Sequence, residues 1–136
     1  MEVILGSSAV VVDDAGRILL VQRGKEPAKG RWTVPGGHVE PGERPPDGAV
    51  REALEETGLE LRVIRELWTI HAPAGEGRVY EASYHLAELV GGELRAGDDA
   101  ADARWVPLDE LGTLPLTRGL VDQLRAAGIL PATTSA

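Results

Sequence analysis

The chain has 136 residues, 43% of them hydrophobic, which suits one domain with a single core. Its formal net charge of −8 argues against a broad nucleic-acid-binding surface, because such surfaces need clustered Lys and Arg. The sequence has no Cys, which excludes disulfides, zinc–thiolate sites and thiol nucleophiles. The apolar N-terminus carries Glu2 where a signal peptide would be basic, and no apolar run is long enough to span a membrane. We therefore expect a soluble, cytoplasmic protein.

The first part of the chain has a strand-like pattern. Residues 3–12 are β-branched and apolar, and residues 18–22 are again apolar, which predicts two strands. The turn sequence at residues 13–16 predicts that these strands form a hairpin. Residues 32–34 form a short extended segment, which we expect to end at the glycine-rich turn of residues 35–37.

A helix is predicted next, over residues 47–57. The preceding Pro45-Pro46 suits a helix start, and Asp47 in the first turn favours the positive end of the helix dipole. Gly58 directly follows Thr57 and is a typical C-terminal cap.

The rest of the chain predicts further strands and a second helix. In chain order we expect a strand at residues 59–67 that continues or is followed by a segment to residue 71, a loop at residues 72–77, strands at residues 79–88 and 104–106, one helical turn at residues 108–111, and an amphipathic helix at residues 117–127. Gly91-Gly92 and Gly97-Asp98-Asp99 are predicted turns. Because the helices are far apart and no regular βαβ repeat appears, the pattern predicts a mixed α/β domain over residues 1–130, with a disordered tail at residues 131–136.

Three carboxylates share one face of the first helix. Glu52, Glu55 and Glu56 stand at i, i+3 and i+4, so they project to the same side. Their mutual repulsion calls for compensation, which a divalent cation that prefers hard oxygen ligands would supply. Such a face is also typical of a solvated surface helix, and Arg51 and Glu55 could form a simple i, i+4 pair.

The loop before this helix extends the pattern. Gly36-Gly37 lets the backbone approach a ligand closely and present a carbonyl oxygen. Glu43 supplies another carboxylate, and an ion pair between it and Arg51 would tie the loop to the helix. Carboxylates that hold metal ions suit pyrophosphate hydrolysis, because the metal neutralises the phosphates and acidifies water while a carboxylate takes its proton.

The spacing of these residues resembles the Nudix box of the Nudix hydrolase family. Gly37 is followed by five residues, Glu43, seven residues and then the run Arg51-Glu52-Ala53-Leu54-Glu55-Glu56-Thr57-Gly58-Leu59. The one departure is Ala53, where a larger aliphatic residue is commoner. The segments at residues 32–37 and 104–106 also look like this family. The resemblance implies the Nudix fold, an α/β (α+β) arrangement with a mixed β-sheet sandwiched between α-helices.

The resemblance also implies roles for individual residues. Glu52 and Glu56 would be the main ligands of Mg²⁺, or alternatively Mn²⁺, with Glu55 close by and the Gly37 carbonyl contributing. Arg51 and Glu43 would orient this face. The general base varies within the family, so Glu52 and the later acidic residues Asp98 and Asp99 remain alternatives. The candidate catalytic residues are therefore Arg51, Glu52, Glu55, Asp98 and Asp99.

Candidate substrate contacts lie outside the box. They are the loop arginines Arg23 and Arg31, Trp32 as a stacking residue, His38 beside Gly37, and Pro73. Pro73 is close to the sequence position at which ADP-ribose-cleaving members of the family often carry a proline. Each also has a simpler interpretation, as a solvated charge, a core residue or a turn residue.

Four functions remain open on the sequence. The favoured one is hydrolysis of a nucleoside diphosphate linked to another group, such as ADP-ribose or a related nucleotide sugar. The alternatives are a house-cleaning nucleoside triphosphatase that releases pyrophosphate, an RNA 5′-end hydrolase, which the negative charge disfavours, and a non-catalytic nucleotide-binding module. We expect a small-molecule nucleotide as partner, without nucleic acid or membrane, and a monomer or homodimer.

Overall fold

The computed structural model describes residues 2–97 and 100–131. The elements in chain order are β1 (Glu2–Val10), β2 (Arg17–Arg23), β3 (Trp32–Thr33), β4 (Gly36–His38), α1 (Pro45–Thr57), β5 (Leu59–Pro73), β6 (Arg78–Gly92), β7 (Ala100–Pro107), a 3₁₀ helix (Leu108–Thr113) and α2 (Leu120–Ala126). Within these ranges, no helix has the length and apolar character needed to cross a membrane.

The strands form two sheets. The larger sheet has the order β4-β1-β6-β5, and its central pair, β1 and β6, is parallel while the outer pairs are antiparallel. The smaller sheet has the order β3-β2-β7 with antiparallel pairs. The larger sheet is therefore mixed, as predicted.

Hydrophobic packing occurs on both sides of the strands. The buried side chains form two hydrophobic cores. Because side chains alternate along a strand, Ala9 and Val11 face the first core, while Val10 between them faces the second core. Helix α1 contributes the completely buried Ala49 and Ala53 to the first core. Helix α2 and the 3₁₀ helix contribute to the second core. The predicted arrangement of sheets between helices is confirmed.

The predicted hairpin of the first two strands is wrong as a sheet pairing, because β1 and β2 belong to different sheets. A local antiparallel contact remains at their junction, where Val12 bridges Ile18 and the Asp13 N–H donates to the Arg17 carbonyl at 2.9 Å. Beyond that point β1 pairs with β6 and β2 with β7. Turn residues determine only the nearest contacts, whereas long-range partners decide the sheet.

The glycine-rich segment is a strand and not only a turn. Gly36 and Gly37 belong to β4, which pairs with Ser7 and Ser8 of β1. A β-carbon on Gly36 would collide with Ser8, so the missing side chain permits the close pairing.

Other boundaries also differ from the prediction. Helix α1 begins at Pro45 and not at Asp47, because proline is tolerated in the first turn, and β7 begins at Ala100 and not at Arg104. Strand β5 runs to Pro73 and β6 to Gly92, so both absorb residues predicted as loop or turn. Helix α2 begins only at Leu120, because Gly119 before it has a left-handed φ of 83°. The expected tail lies outside the described residues from residue 132 onward.

Candidate active site

The carboxylate-bearing helix α1 is anchored directly against the larger sheet. The Ser7 hydroxyl of β1 donates to the Pro45 carbonyl at 2.5 Å, which ties the start of α1 to that strand. Gly37 of β4 packs against Glu52, and a β-carbon at Gly37 would lie 2.7 Å from both carboxylate oxygens. Only glycine therefore permits this approach of the β4 backbone to the carboxylate.

Arg51 links the preceding loop, β4 and α1. Its Nε and Nη2 donate to the two carboxylate oxygens of Glu43 at 2.9 and 3.0 Å, and Nη2 also donates to the His38 carbonyl at 3.0 Å. Hydrogen bonds from Arg51 hold the pKa of Glu43 below its ordinary value, and those bonds in turn raise the pKa of Arg51. The structure thus brings together the predicted orienting pair in a two-pronged geometry that Lys could not reproduce.

The third guanidinium nitrogen of Arg51, Nη1, faces carboxylates of α1 itself. Nη1 donates to Glu52 at 3.0 Å and to Glu55 at 3.2 Å. Glu56 lies deeper and accepts a hydrogen bond from the Gly36 N–H at 2.8 Å. Burial, with the nearby charges of Glu52 and Glu55, raises the pKa of Glu56 to about 7, although the Gly36 bond and Arg23 act in the opposite direction.

The donors suit a hard divalent cation, but the side chains do not surround a common point. Among residues 2–97 and 100–131, no three His, Cys, Asp or Glu side chains form a group that could hold a metal ion. The reason is visible in the hydrogen bonds, because Glu52 and Glu55 turn to Arg51 while Glu56 turns to the Gly36 N–H. The carboxylate chemistry nevertheless fits Mg²⁺ or Mn²⁺. A cation would also offset the desolvation and repulsion that raise the pKa of Glu56.

These carboxylates open into a cleft of about 860 Å³. The lining includes the carboxylates Glu52, Glu55 and Glu56 of α1 and, at and just after the end of β2, the charged residues Arg23, Lys25 and Glu26. The cleft therefore offers carboxylates to a metal and basic groups to phosphate oxygens.

The floor of the cleft is formed by small residues between aromatic ones. Gly6 of β1 pairs with Ala82 of β6, and both line the cleft. Tyr80 and Tyr84 stand two residues to either side of Ala82, so all three face the same way. The Tyr80 ring stacks on His38 with centroids 6.0 Å apart.

The second tyrosine is held by a tryptophan of β5. The Tyr84 ring stacks on Trp68 with centroids 4.6 Å apart, and burial raises the pKa of the Tyr84 hydroxyl. The two stacked pairs therefore lie on either side of Ala82, and aromatic rings of this kind suit contact with a planar heterocycle.

A family model described as "NUDIX domain" matches residues 4–126. The chain belongs to this family. An ADP-ribose pyrophosphatase of Methanocaldococcus jannaschii is 38% identical over 105 residues, which cover 76% of this chain and 62% of that protein. A CMP-5′-(N-acetyl-N-hydroxy-3-aminopropyl)phosphonate hydrolase of Streptomyces rubellomurinus is 36% identical over 132 residues, covering 92% and 62%. The chain thus spans 62% of the length of each of these curated relatives.

A solved structure supports the same assignment. The MutT NUDIX hydrolase from Burkholderia pseudomallei superposes with a TM-score of 0.79 at 31% identity, covering 92% of this chain and 98% of that chain. The Nudix fold predicted from the sequence is therefore confirmed.

Three predicted substrate contacts of this Nudix domain lie outside the cleft lining. Arg31 points away, because its Nη1 donates to the Leu116 carbonyl at 3.1 Å. Trp32 is 4% exposed within the second core, so it has no free face for a base. Pro73 ends β5 opposite Val79 in the sheet. The cleft lining therefore leaves out these three residues and includes Arg23 and His38, and the substrate contacts stay predictions.

The local sequence pattern did not identify Gly6 and Ala82 as residues of the cleft floor. Ala82 and Gly6 are small and carry no chemical signature, and only the parallel pairing of β1 with β6 brings them together. The alternation of Tyr80, Ala82 and Tyr84 on one strand was the available signal.

The candidate bases Asp98 and Asp99 lie outside the described residues. The residues that flank them in the described part of the chain lie close to the Nudix box. The Gly97 N–H donates to the Glu56 carbonyl at 3.0 Å, and Ala100 lines the cleft.

Proposed function

We propose that this Nudix domain hydrolyses the pyrophosphate linkage of a nucleoside diphosphate joined to a second group. The observation that carries the proposal is the carboxylate face of α1, which packs against the glycine backbone of β4 and opens into a cleft with basic residues. Glu52, Glu55, Glu56 and the Gly37 carbonyl would hold Mg²⁺ or Mn²⁺ there. The bound cation would neutralise phosphate charge and acidify water.

The residues of the chain divide the remaining work. Arg51 holds Glu43 and the His38 carbonyl, so it orients the helix face and β4 together. Arg23 and Lys25 line the same cleft and would contact phosphate oxygens. The general base, Glu52 or one of Asp98 and Asp99, takes a proton from the water that attacks phosphorus, and the bond from phosphorus to the bridging oxygen breaks.

The cleft floor supports a nucleoside as one half of the substrate. A base lying over Gly6 and Ala82 would meet Tyr80 and Tyr84 at its edges, and aromatic contacts of this kind tolerate different bases. Because the Methanocaldococcus jannaschii relative is named as an ADP-ribose pyrophosphatase, we favour ADP-ribose or a related nucleotide sugar.

A nucleoside triphosphate is the second candidate substrate. A protein of Bacillus subtilis that is named as a putative 8-oxo-dGTP diphosphatase is 34% identical over 114 residues, which cover 82% of this chain and 69% of that protein. Two basic residues in the same cleft, Arg23 and Lys25, also suit a longer phosphate chain. In that reaction the products are a nucleoside monophosphate and pyrophosphate.

A product assay on a nucleotide panel with Mg²⁺ tests the proposal. AMP plus ribose 5-phosphate from ADP-ribose would support the first substrate class, and a nucleoside monophosphate plus pyrophosphate would support the second. Glu52→Gln should lose turnover, whereas Glu60→Gln, an exposed carboxylate of β5, is the matched control. Ligand binding without turnover of any compound would instead indicate a non-catalytic binding module.

The same assay identifies the base. Asp98→Ala and Asp99→Ala are compared with Glu52→Gln at saturating Mg²⁺. A lower kcat in one Asp variant assigns the base to that residue. Unchanged rates in both Asp variants assign the role to Glu52.

A further inference from the structure

The last turn of α1 is held by backbone groups from a distant part of the chain. A helix leaves its final carbonyls without intrahelical partners, and here two of them are satisfied from beyond β6. The Arg95 N–H donates to the Thr57 carbonyl at 2.8 Å, and the Gly97 N–H donates to the Glu56 carbonyl at 3.0 Å. The Gly58 N–H donates to the Leu54 carbonyl at 2.9 Å and closes the turn itself.

Glycines at three positions permit the close contact between the end of α1 and residues 92–97. A β-carbon on Gly97 would strike the Glu55 carbonyl oxygen. One on Gly92 would strike the Gly58 carbonyl oxygen, and one on Gly58 would strike the Glu93 carbonyl oxygen. The two backbones therefore touch at van der Waals distance along the end of the helix.

Arg95 adds a positive charge at the same end. A β-carbon on Gly58 would lie 3.1 Å from Arg95 Cγ and 3.4 Å from its Nε, so this side chain crosses the helix terminus. Helix α1 has no basic residue in its own last turn. A cation at the negative end of a helix stabilises it, and Arg95 supplies that cation from outside the helix.

We propose that residues 92–97 form a clamp that positions Glu55 and Glu56 for metal binding, with Gly97 and Arg95 as its positioning residues. This inference rests on the proposed function, because it assigns the clamp a role at that site. Glu55 and Glu56 lie in the turn that the clamp holds, and Glu56 must meet the Gly36 N–H at 2.8 Å on its other side. Fraying of this turn would move both carboxylates relative to β4, and metal sites depend strongly on the groups that orient their ligands.

The chain offers a matched pair of glycine variants. Gly97→Ala places a β-carbon against the Glu55 carbonyl, whereas at Gly112 the added carbon meets nothing within 4 Å. Neither glycine has a positive φ, so neither substitution adds backbone strain of that kind. A difference between the two variants therefore reports the contact with α1.

The primary measurement is Mn²⁺ binding to the metal-free protein, followed by electron paramagnetic resonance. We expect Gly97→Ala to weaken Mn²⁺ affinity by about tenfold or more and Gly112→Ala to leave it unchanged. Nucleotide binding in EDTA should be the same in both variants, because the cleft floor is made by β1 and β6. Equal Mn²⁺ affinities in Gly97→Ala, Gly112→Ala and the unmodified protein would overturn the clamp.

A second measurement stands even if Gly97→Ala does not fold. In the unmodified, metal-free protein the Arg95 and Gly97 amides should exchange hydrogen as slowly as the Gly58 amide. Arg95→Gln keeps these backbone bonds and removes the cation, so it should weaken Mn²⁺ binding less than Gly97→Ala does. Fast exchange at Arg95 and Gly97 would refute the clamp. An unmodified protein that neither binds Mn²⁺ nor hydrolyses nucleotides would instead refute the proposed function.

Discussion

Glu56→Gln should stabilise the metal-free protein at alkaline pH while it removes activity. The pKa of Glu56 rises from its ordinary 4.5 to about 7, chiefly through burial and also through the charges of Glu52 and Glu55. The folded state therefore binds this proton more tightly than the unfolded chain does. As pH rises from 4.5 to about 7, the folded state loses stability, and above that range the loss is complete.

The size of the effect follows from the change in pKa. A shift from 4.5 to about 7 corresponds to about 3 kcal/mol of unfolding free energy, since each tenfold change in proton affinity is worth about 1.4 kcal/mol. Gln has nearly the same shape and carries no charge, and its side-chain oxygen can still accept the Gly36 N–H. The variant should match the unmodified protein near pH 4.5 and exceed its stability by up to about 3 kcal/mol near pH 8.

Urea unfolding in EDTA at about pH 5 and about pH 8 measures this difference. Glu60→Gln is the control, because Glu60 is exposed on β5. With Mg²⁺ the advantage should shrink, because the cation stabilises only the protein that binds it. The variant's kcat should fall by several orders of magnitude. A variant that is no more stable than the unmodified protein at pH 8, or equally more stable at both pH values, would refute this reasoning.

Two further predictions concern the scaffold. Leu124→Ala removes a completely buried side chain of α2 and should lower the unfolding free energy by about 2–5 kcal/mol, more than Val121→Ala at a partly buried position of the same helix. Burial lowers the pKa of His85, although Glu66 opposes the shift, so the folded state resists its protonation and loses stability as pH falls through 6.5. Relative to the unmodified protein, His85→Gln should gain urea midpoint as pH falls from about 7.5 to about 5.5, and His71→Gln, at an exposed position, is the control. Parallel curves for His85→Gln and the unmodified protein would contradict this assignment.

Local rules were sufficient to predict α1 and its chemical face. The helix ends at Thr57 and Gly58 has a left-handed φ of 75°, as the glycine cap predicts. The i, i+3, i+4 spacing puts Glu52, Glu55 and Glu56 on one side in any helix, whatever it packs against. The alternation of apolar residues likewise predicted most strands, because a sheet face repeats every second residue.

Partners distant in sequence could not be predicted in this way. The exchange of the expected β1–β2 hairpin for β1–β6 and β2–β7 pairing depends on the whole set of strands competing for backbone partners. That pairing created the cleft floor and brought Gly6 beside Ala82.

The sequence alone determined the carboxylate face of the site, and the tertiary structure decided what surrounds it. Trp32 has an aromatic ring that could stack on a ligand, yet it is buried in the second core. Tyr80 and Tyr84 face the cleft instead. Residues 92–97 reach the end of α1 only because β5 and β6 return the chain to that point. Helix periodicity and capping are encoded within a few neighbouring residues. Burial and long-range hydrogen bonding are properties of the assembled chain, because they depend on which distant segments fill the remaining space.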